Sequence, residues 1–225
     1  MPASLARVSE MVHARGLPAE IIVADDGSTD DTRRVVGEAA QELASGRLEI
    51  HYLPLPHRGK GAAVKAGILH ARGDPVAFLD ADLSIPVDVL DALLARLLGG
   101  ADIAVASRYV PGATVKRPPL RRAMSTVYRW FVRTIVPTGL QDTQCGGKAY
   151  TAEAARALFP RQTLPGLAFD AEILFLAKRL GYRVSEVPFA LVQPRGSSTH
   201  LLRDAPRMVR DLLLIRWRAA RGLYR

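Results

Sequence analysis

The stretch VAFLDADLSIP, residues 76–86, ends a run of apolar residues in two carboxylates. The run Val76–Leu79 is typical of a buried strand, and Pro86 is typical of the first turn of a helix. Asp80 and Asp82 stand two residues apart between them. Because alternate side chains of an extended chain point the same way, we expect both carboxylates to face one point at the end of the strand.

Strand-like and helical segments alternate along the chain. Strand-like runs occur at EIIVADD, LEIHYLP, PVAFLDA, DIAVASRY, GGKAYT and RVSEVPFALV. Helical patterns occur at about residues 29–44, 59–72, 86–98, 119–136, 151–158, 168–180 and 200–221. This alternation predicts an α/β fold with a mainly parallel sheet covered by helices. In such sheets ligands bind beyond the carboxyl ends of the strands, so acidic residues there are candidate site residues.

Length and charge limit the class of protein. The chain has 225 residues, 48% of them hydrophobic, and one cysteine. We expect one domain over residues 1–199, with a basic helix over 200–225 as part of the same unit. Of the net charge of +9, residues 108–133 hold seven Lys or Arg and no acid, and residues 195–225 hold eight Arg and two Asp. This predicts contact with an anionic surface or ligand, and nucleic acid ranks last because no nucleic-acid-binding motif is present.

A second acidic strand end lies in EIIVADDGSTDDT. Ser28 and Asp31 fit a capping box that opens the next helix, which leaves Asp25 and Asp26 unexplained. Carboxylates at strand ends suit Mg²⁺ or Mn²⁺, because such ions take one or two carboxylates together with phosphate oxygens and water. The alternative at both strand ends is a solvated acidic turn.

Three segments together resemble the donor-site motifs of the family-2 inverting glycosyltransferases, which have the nucleotide-sugar-binding fold called GT-A. They are EIIVADDGSTDDT, HRGKGAAVKAGILHARGD and VAFLDADLSIP. Likeness over ASRYVPG, LQDTQCGGKAY, LAFDAEILFLA and QPRGSS extends the resemblance to nearly the whole chain. The branch most resembled transfers a sugar from a nucleotide donor to dolichyl or polyprenyl phosphate. DTQCG followed by a Lys is closer to its glucosyl-transferring members than to its mannosyl-transferring ones.

The resemblance implies a fold and a donor site. The fold would be a Rossmann-like, mixed but mainly parallel sheet covered by helices. Asp26 would contact the base or ribose with Asp25 in support, Asp82 would bind Mg²⁺ or Mn²⁺ on the diphosphate, and Asp80 would lie against ribose or metal. A glycine loop would line the nucleotide pocket: Gly59, Lys60 and Gly61. A flexible segment that contains Arg195, Ser197 and Ser198 would close over the diphosphate. Arg195 would neutralise negative charge on the leaving nucleotide.

The resemblance also implies an acceptor site. Three arginines would hold the acceptor phosphate, because an arginine fork suits a tetrahedral oxyanion: Arg108, Arg121 and Arg122. An acceptor phosphate is already an anion and needs no strong base, whereas an alcohol acceptor would need one. Asp170 and Glu172 are the candidates for such a base. They face different ways on a helix, and Asp170 matches the family position better; the alternative is an acid favoured by the helix dipole.

Two basic helices are candidate membrane contacts. In the first helix an apolar stripe lies opposite arginines, and this stripe comprises Leu120, Met124, Val127, Phe131 and Ile135. The alternative is that the stripe packs on the core beneath a solvated basic face. The second has one apolar face opposite an arginine face, Arg203, Arg207, Arg210 and Arg221; the apolar face comprises Leu201, Ala205, Met208, Val209 and Leu212. It predicts an interfacial helix on an anionic membrane, with docking on the domain as the alternative.

The sequence departs from the family at its start. Family members begin with a strand that forms one wall of the nucleotide site and a central part of the sheet, whereas this sequence opens in PASLARVSEMVHARGL, which looks like the following helix. We expect the sheet to lack that strand, which would leave its neighbours unpaired or force them together. Our hypothesis is that the true start lies upstream, which puts the activity of these 225 residues in question.

The resemblance thus implies a metal-dependent hexosyltransferase, which we expect to be cytoplasmic and peripheral on the inner face of the membrane. The expected donor is UDP-glucose, with GDP-mannose next, and the expected acceptor is a polyprenyl or dolichyl phosphate. Two alternatives stay open. One is a catalytically inactive GT-A module that binds anionic membrane or a partner; the other is a sugar-phosphate nucleotidyltransferase.

Overall fold

The structure of the protein is a computed structural model that describes residues 2–115, 119–191 and 201–224, without the side chains of 115, 119–122, 191 and 201–205. The helices are Pro2–Arg15 (α1), Thr32–Leu43 (α2), Lys60–His70 (α3), Val89–Leu98 (α4), Pro119–Ile135 (α5), Ala152–Leu158 (α6), Phe169–Arg179 (α7) and Leu201–Ala220 (α8). The strands are Ala19–Asp25 (β1), Leu48–Pro54 (β2), Val76–Leu79 (β3), Ile103–Ser107 (β4), Thr114–Val115 (β5), Gly147–Tyr150 (β6), Val184–Pro188 (β7) and Ala190–Leu191 (β8). Each predicted strand and helix is present, with ends within a few residues of those expected.

The strands form two separate sheets and a short additional pair. In the small sheet, β1 and β2 are parallel. The large sheet has the order β3-β6-β4-β7, in which β6 is antiparallel to both of its neighbours and β4 is parallel to β7. β5 and β8 pair in parallel. Across the described ranges no strand joins β1 to β3, which agrees with the expected lack of a central strand.

The main core lies on one face of the large sheet, under α5 to α8. β4 is buried at every residue, and so is the stretch of α7 from Phe169 to Ala177. Leu212 and Ile215 of α8 are also fully buried in this core. The opposite face of the large sheet is covered by α4, whose Leu93 is fully buried. The small sheet packs on α2, with Val36 in a separate small cluster.

The predicted apolar faces of the two basic helices are partly wrong. Val127 of α5 is 56% exposed, whereas Phe131 and Ile135 of the predicted stripe are partly buried against the main core. Among the described side chains of α5, Val132 is the most buried, and Val136 just beyond the helix is buried as well. In α8, Met208 and Leu212 face the core, so this face docks on the domain rather than on a membrane. The physical reason is that α8 packs against α5 and α7, which cover its most apolar side. Within the described ranges, no helix is long and apolar enough to cross a bilayer.

Candidate functional site

Asp25 holds the turn that follows β1. Its carboxylate, in a residue only 6% exposed, accepts hydrogen bonds from the Ser28 backbone N–H at 2.9 Å and the Tyr52 hydroxyl at 2.6 Å. Burial raises the pKa of Asp25, but these hydrogen bonds outweigh it and hold the pKa below its usual value. The predicted capping box is therefore wrong. The Ser28 backbone N–H binds Asp25, the helix begins at Thr32, and Asp31 makes no side-chain cap.

Asp26 holds the glycine loop that opens α3. Its carboxylate accepts from the backbone N–H of Arg58 at 2.8 Å and from that of Gly59 at 2.9 Å and 3.0 Å. The His57 ring nitrogen Nδ1 lies 3.0 Å from the same carboxylate. Asp26 thus fixes the loop backbone from the end of the neighbouring strand. Its contact with a base or ribose stays a prediction.

The glycines of this loop make room for another part of the chain. Gly59 has φ +112°, and a Cβ there would lie 2.8 Å from the Pro165 carbonyl oxygen. A Cβ on Gly61 would lie 2.7 Å from Cβ of Phe169 and 2.8 Å from the Gly166 carbonyl oxygen. The backbone that approaches these glycines belongs to the protein itself, and the place of the loop in the wall of a nucleotide pocket stays a prediction. Sequence reasoning missed this segment, because no local pattern marks it.

The expected geometry of Asp80 and Asp82 is wrong, because the chain turns as soon as β3 ends at Leu79. The Leu83 N–H donates to the Asp80 carbonyl at 2.9 Å, which closes a turn in place of extended chain. The exposed Asp82 carboxylate accepts from the Ser84 N–H at 2.9 Å. The two carboxylates therefore lie on a turn and not on one face at the end of an extended strand. Their roles as metal ligands stay predictions.

Alternating charges lead from Asp80 into the core. Lys60 Nζ lies 2.6 Å from Asp80 Oδ1, and the fully buried Lys148 Nζ lies 2.6 Å from Asp170 Oδ1. Both ammonium groups lie near the ring of Phe78, at 6.0 Å and 5.3 Å from its centre. Burial raises the pKa of Asp170, and the charges of Lys148 and Lys60 oppose that rise. The structure thus places Asp170 in a buried ion pair; its role as a base stays a prediction.

Glu172 and Arg108 are also engaged by other residues of the chain. Glu172 faces away from Asp170, as the helix spacing predicts, and accepts from the Leu164 N–H at 2.9 Å and the Tyr224 hydroxyl at 2.7 Å. Arg108 forms a two-point ion pair with Asp142, at 2.6 Å and 2.7 Å. Burial raises the pKa of Asp142 and Arg108 lowers it, so the net shift is downward. The binding of an acceptor phosphate by Arg108 stays a prediction.

Several predicted site residues lie outside what the structure describes. Arg121 and Arg122 belong to the first turn of α5, but their side chains are outside the described residues. The whole of the predicted closing segment is also outside them: Arg195, Ser197 and Ser198.

The two sheets, the acidic residues that follow β1 and β3, and the glycine loop before α3 define the class of protein, which is one with the GT-A fold. The glucosyl-3-phosphoglycerate synthase of Mycobacterium tuberculosis, solved with Mn²⁺, UDP and glucosyl-3-phosphoglycerate, has the same fold, with a TM-score of 0.64 at 20% identity. The match covers 94% of this chain and 74% of that one. The chain belongs to glycosyl transferase family 2, whose family model matches residues 2–164. The predicted family and fold are confirmed.

Curated relatives narrow the resemblance. The dolichyl-phosphate beta-glucosyltransferase of Dictyostelium discoideum is 32% identical over 213 residues, which are 92% of this chain and 65% of the relative. A dolichyl-phosphate beta-glucosyltransferase of Trichomonas vaginalis is 35% identical over 202 residues, which are 87% of this chain and 61% of the relative. This chain therefore spans just under two thirds of the length of these relatives.

Proposed function

We propose that the chain is an inverting hexosyltransferase that moves glucose from UDP-glucose to dolichyl or polyprenyl phosphate. The observation that carries the proposal is the joining of both acidic strand ends by α3: Asp26 binds the loop before it, and Lys60 in its first turn pairs with Asp80. The names of the curated relatives support glucose and dolichyl phosphate. Mannose from GDP-mannose is the second choice of sugar.

A Mg²⁺ or Mn²⁺ ion fits the acidic turn after β3. Asp82 is exposed, and the Asp80 side chain is 32% exposed, so both can offer hard oxygen ligands to an ion at the surface. The described residues include no group of three or more His, Cys, Asp or Glu that could hold a metal. Oxygen atoms of the donor diphosphate and water would therefore complete the ligand set. When bound, the ion supplies charge neutralisation for the leaving diphosphate.

The acceptor supplies its own nucleophile. A phosphate monoester is an anion at neutral pH, so its oxygen can attack the anomeric carbon opposite the diphosphate. The bond from that carbon to the diphosphate oxygen breaks with its electron pair on the nucleotide, and the configuration inverts. The pairing of Asp170 with buried Lys148 supports an acceptor of this kind, because that carboxylate is held in the core. Lys60 would add positive charge beside the leaving group.

We also propose that the chain binds the cytoplasmic face of an anionic membrane through α5 and α8, which pack together. Trp130 of α5 is 61% exposed, and Leu213 and Trp217 of α8 are 55% and 49% exposed. The Arg210 side chain is 73% exposed nearby on α8. Exposed tryptophan and leucine beside arginine suit the boundary between lipid head groups and acyl chains.

The test is a transfer assay with labelled UDP-glucose, Mn²⁺ and dolichyl phosphate in anionic vesicles. We expect label in the extracted lipid with the wild-type chain and at least tenfold less with Asp82→Ala; GDP-mannose in a parallel reaction tests the sugar. A folded chain that transfers neither sugar would contradict the proposal. Formation of UDP-glucose from UTP and glucose 1-phosphate would favour a nucleotidyltransferase.

A further inference from the structure

A buried carboxylate fixes the segment that lies against the glycine loop. Glu172 is 0% exposed and accepts four hydrogen bonds. Two come from the backbone N–H groups of Thr163 at 3.0 Å and Leu164 at 2.9 Å, and one comes from the Thr163 hydroxyl. The fourth comes from the Tyr224 hydroxyl at 2.7 Å. A buried carboxylate depends on such donors, since each lost donor leaves a charge less well solvated.

The segment fixed by Glu172, residues 162–166, is bonded directly to the glycine loop and to α3. The Gln162 side-chain amide donates to the Gly61 carbonyl at 2.8 Å. The Ala62 N–H donates to the Pro165 carbonyl at 3.1 Å, and Lys65 Nζ donates to the Gln162 carbonyl at 2.8 Å. Because no Cβ separates the two backbones at the glycines, a shift of this segment must move the loop.

The end of α8 and the residues that follow it also contact this carboxylate and its partners. The Arg218 guanidinium donates to the Thr163 hydroxyl, which itself donates to Glu172. After α8 the chain reverses at Gly222, which has φ +66°, and the Leu223 N–H donates to the Arg218 carbonyl at 3.0 Å. This reversal brings the Tyr224 hydroxyl to Glu172, 52 residues away in sequence.

We propose that Glu172 and Tyr224 are positioning residues for the donor nucleotide, which act through residues 162–166 to hold the glycine loop in place. Neither residue need touch the donor. The inference rests on the proposed function, because the position of the glycine loop affects nucleotide binding only where the loop forms a wall of the donor site. It differs from the predicted role of Glu172 as an alternative base, because the four hydrogen bonds occupy both carboxylate oxygens.

The test compares Tyr224→Phe with the wild-type chain in two measurements. Hydrogen exchange should become about tenfold faster at the amides of Ala62 and Leu164, and UDP binding with Mn²⁺ by calorimetry should weaken about tenfold. Tyr182→Phe is the matched control, because Tyr182 is a partly buried tyrosine on the same core. A second pair separates hydroxyl from shape: Thr163→Ser should behave as wild type, and Thr163→Val should resemble Tyr224→Phe.

Three results would overturn the inference. In the first, faster exchange stays confined to residues 218–224. In the second, Tyr182→Phe has the same effect, which would mean a general loss of stability. In the third, the wild-type chain binds UDP and Tyr224→Phe binds UDP with the same affinity. If the wild-type chain binds no UDP, the proposed function fails, while the exchange rates still decide whether Tyr224 holds the loop.

Discussion

Candidate site residues follow strands of both the small sheet and the large sheet, but the two sheets differ greatly in burial. In β1 only Asp25 is buried, whereas every residue of β4 is buried. Two strands alone are marginally stable, whereas four strands with helices on both faces form a full core. Asp26 follows β1 of the small sheet, whereas Asp80 follows β3 of the large sheet and Lys148 of β6 pairs with Asp170 on α7. The proposed donor site would thus depend on α3 and the glycine loop, which join the weakly buried small sheet to the well buried large sheet.

The largest expected effect comes from the strong half. Lys148→Ala would leave Asp170 buried without its partner, and we expect a loss of about 3–5 kcal/mol in the free energy of unfolding. Chemical denaturation measures it. Replacing both members of the pair by leucine should recover much of the loss, because the cost arises from the unpaired charge. A Lys148→Ala chain as stable as wild type would show that the pair contributes little to the large sheet.

A smaller effect is expected at the joint between the halves. Gly61→Ala places a methyl group against the backbone of residues 164–166 and Cβ of Phe169, which should cost about 1–3 kcal/mol. The matched control is Gly37→Ala in α2, where nothing lies within 4 Å of a new Cβ. That change should instead stabilise by about 0.5–1 kcal/mol, because alanine favours helix. Equal effects in thermal unfolding would contradict the tight joint.

The weak half should depend on pH through Asp25. Its pKa is lower in the folded chain than its usual value of 3.8, so its ionisation stabilises the fold above that pH. This stabilisation is lost as the pH falls through the folded pKa. Tyr52→Phe should cost about 1 kcal/mol at neutral pH, because one hydrogen bond to the carboxylate is lost. In denaturation curves the difference should vanish once the carboxyl is protonated in both chains; a difference independent of pH would contradict this.

The smallest effect on stability is expected at the surface, where the two halves should differ in membrane binding. Leu213→Ala on α8 and Leu17→Ala beside the small sheet both truncate exposed leucines, 55% and 63% exposed. Each should change stability by no more than about 0.5 kcal/mol. Co-sedimentation with anionic vesicles should decrease for Leu213→Ala alone. An equal decrease in both would place the membrane contact elsewhere.

Local patterns predicted the helices, the strands and the acidic strand ends. The spacing of apolar residues and the turn residues that end each element can be read from a few neighbouring residues. The turn at Asp80 was missed because a strand pattern does not show where pairing stops. The outward face of α8 was assigned wrongly since an apolar stripe does not reveal what covers it. The contacts of Lys148 with Asp170, and of Glu172 with Tyr224, join residues 22 and 52 positions apart. Only the folded chain brings these groups together.

Calorimetry of UDP binding with Mn²⁺, on the wild-type chain, Asp26→Ala and Asp82→Ala, tests most directly whether the two halves form one donor site. We expect Mn²⁺-dependent binding by the wild-type chain and its loss in both variants, since each variant removes a carboxylate from one half. Circular dichroism confirms that all three chains are folded. No binding by a folded wild-type chain, or a loss in only one variant, would show that the two halves do not form one donor site.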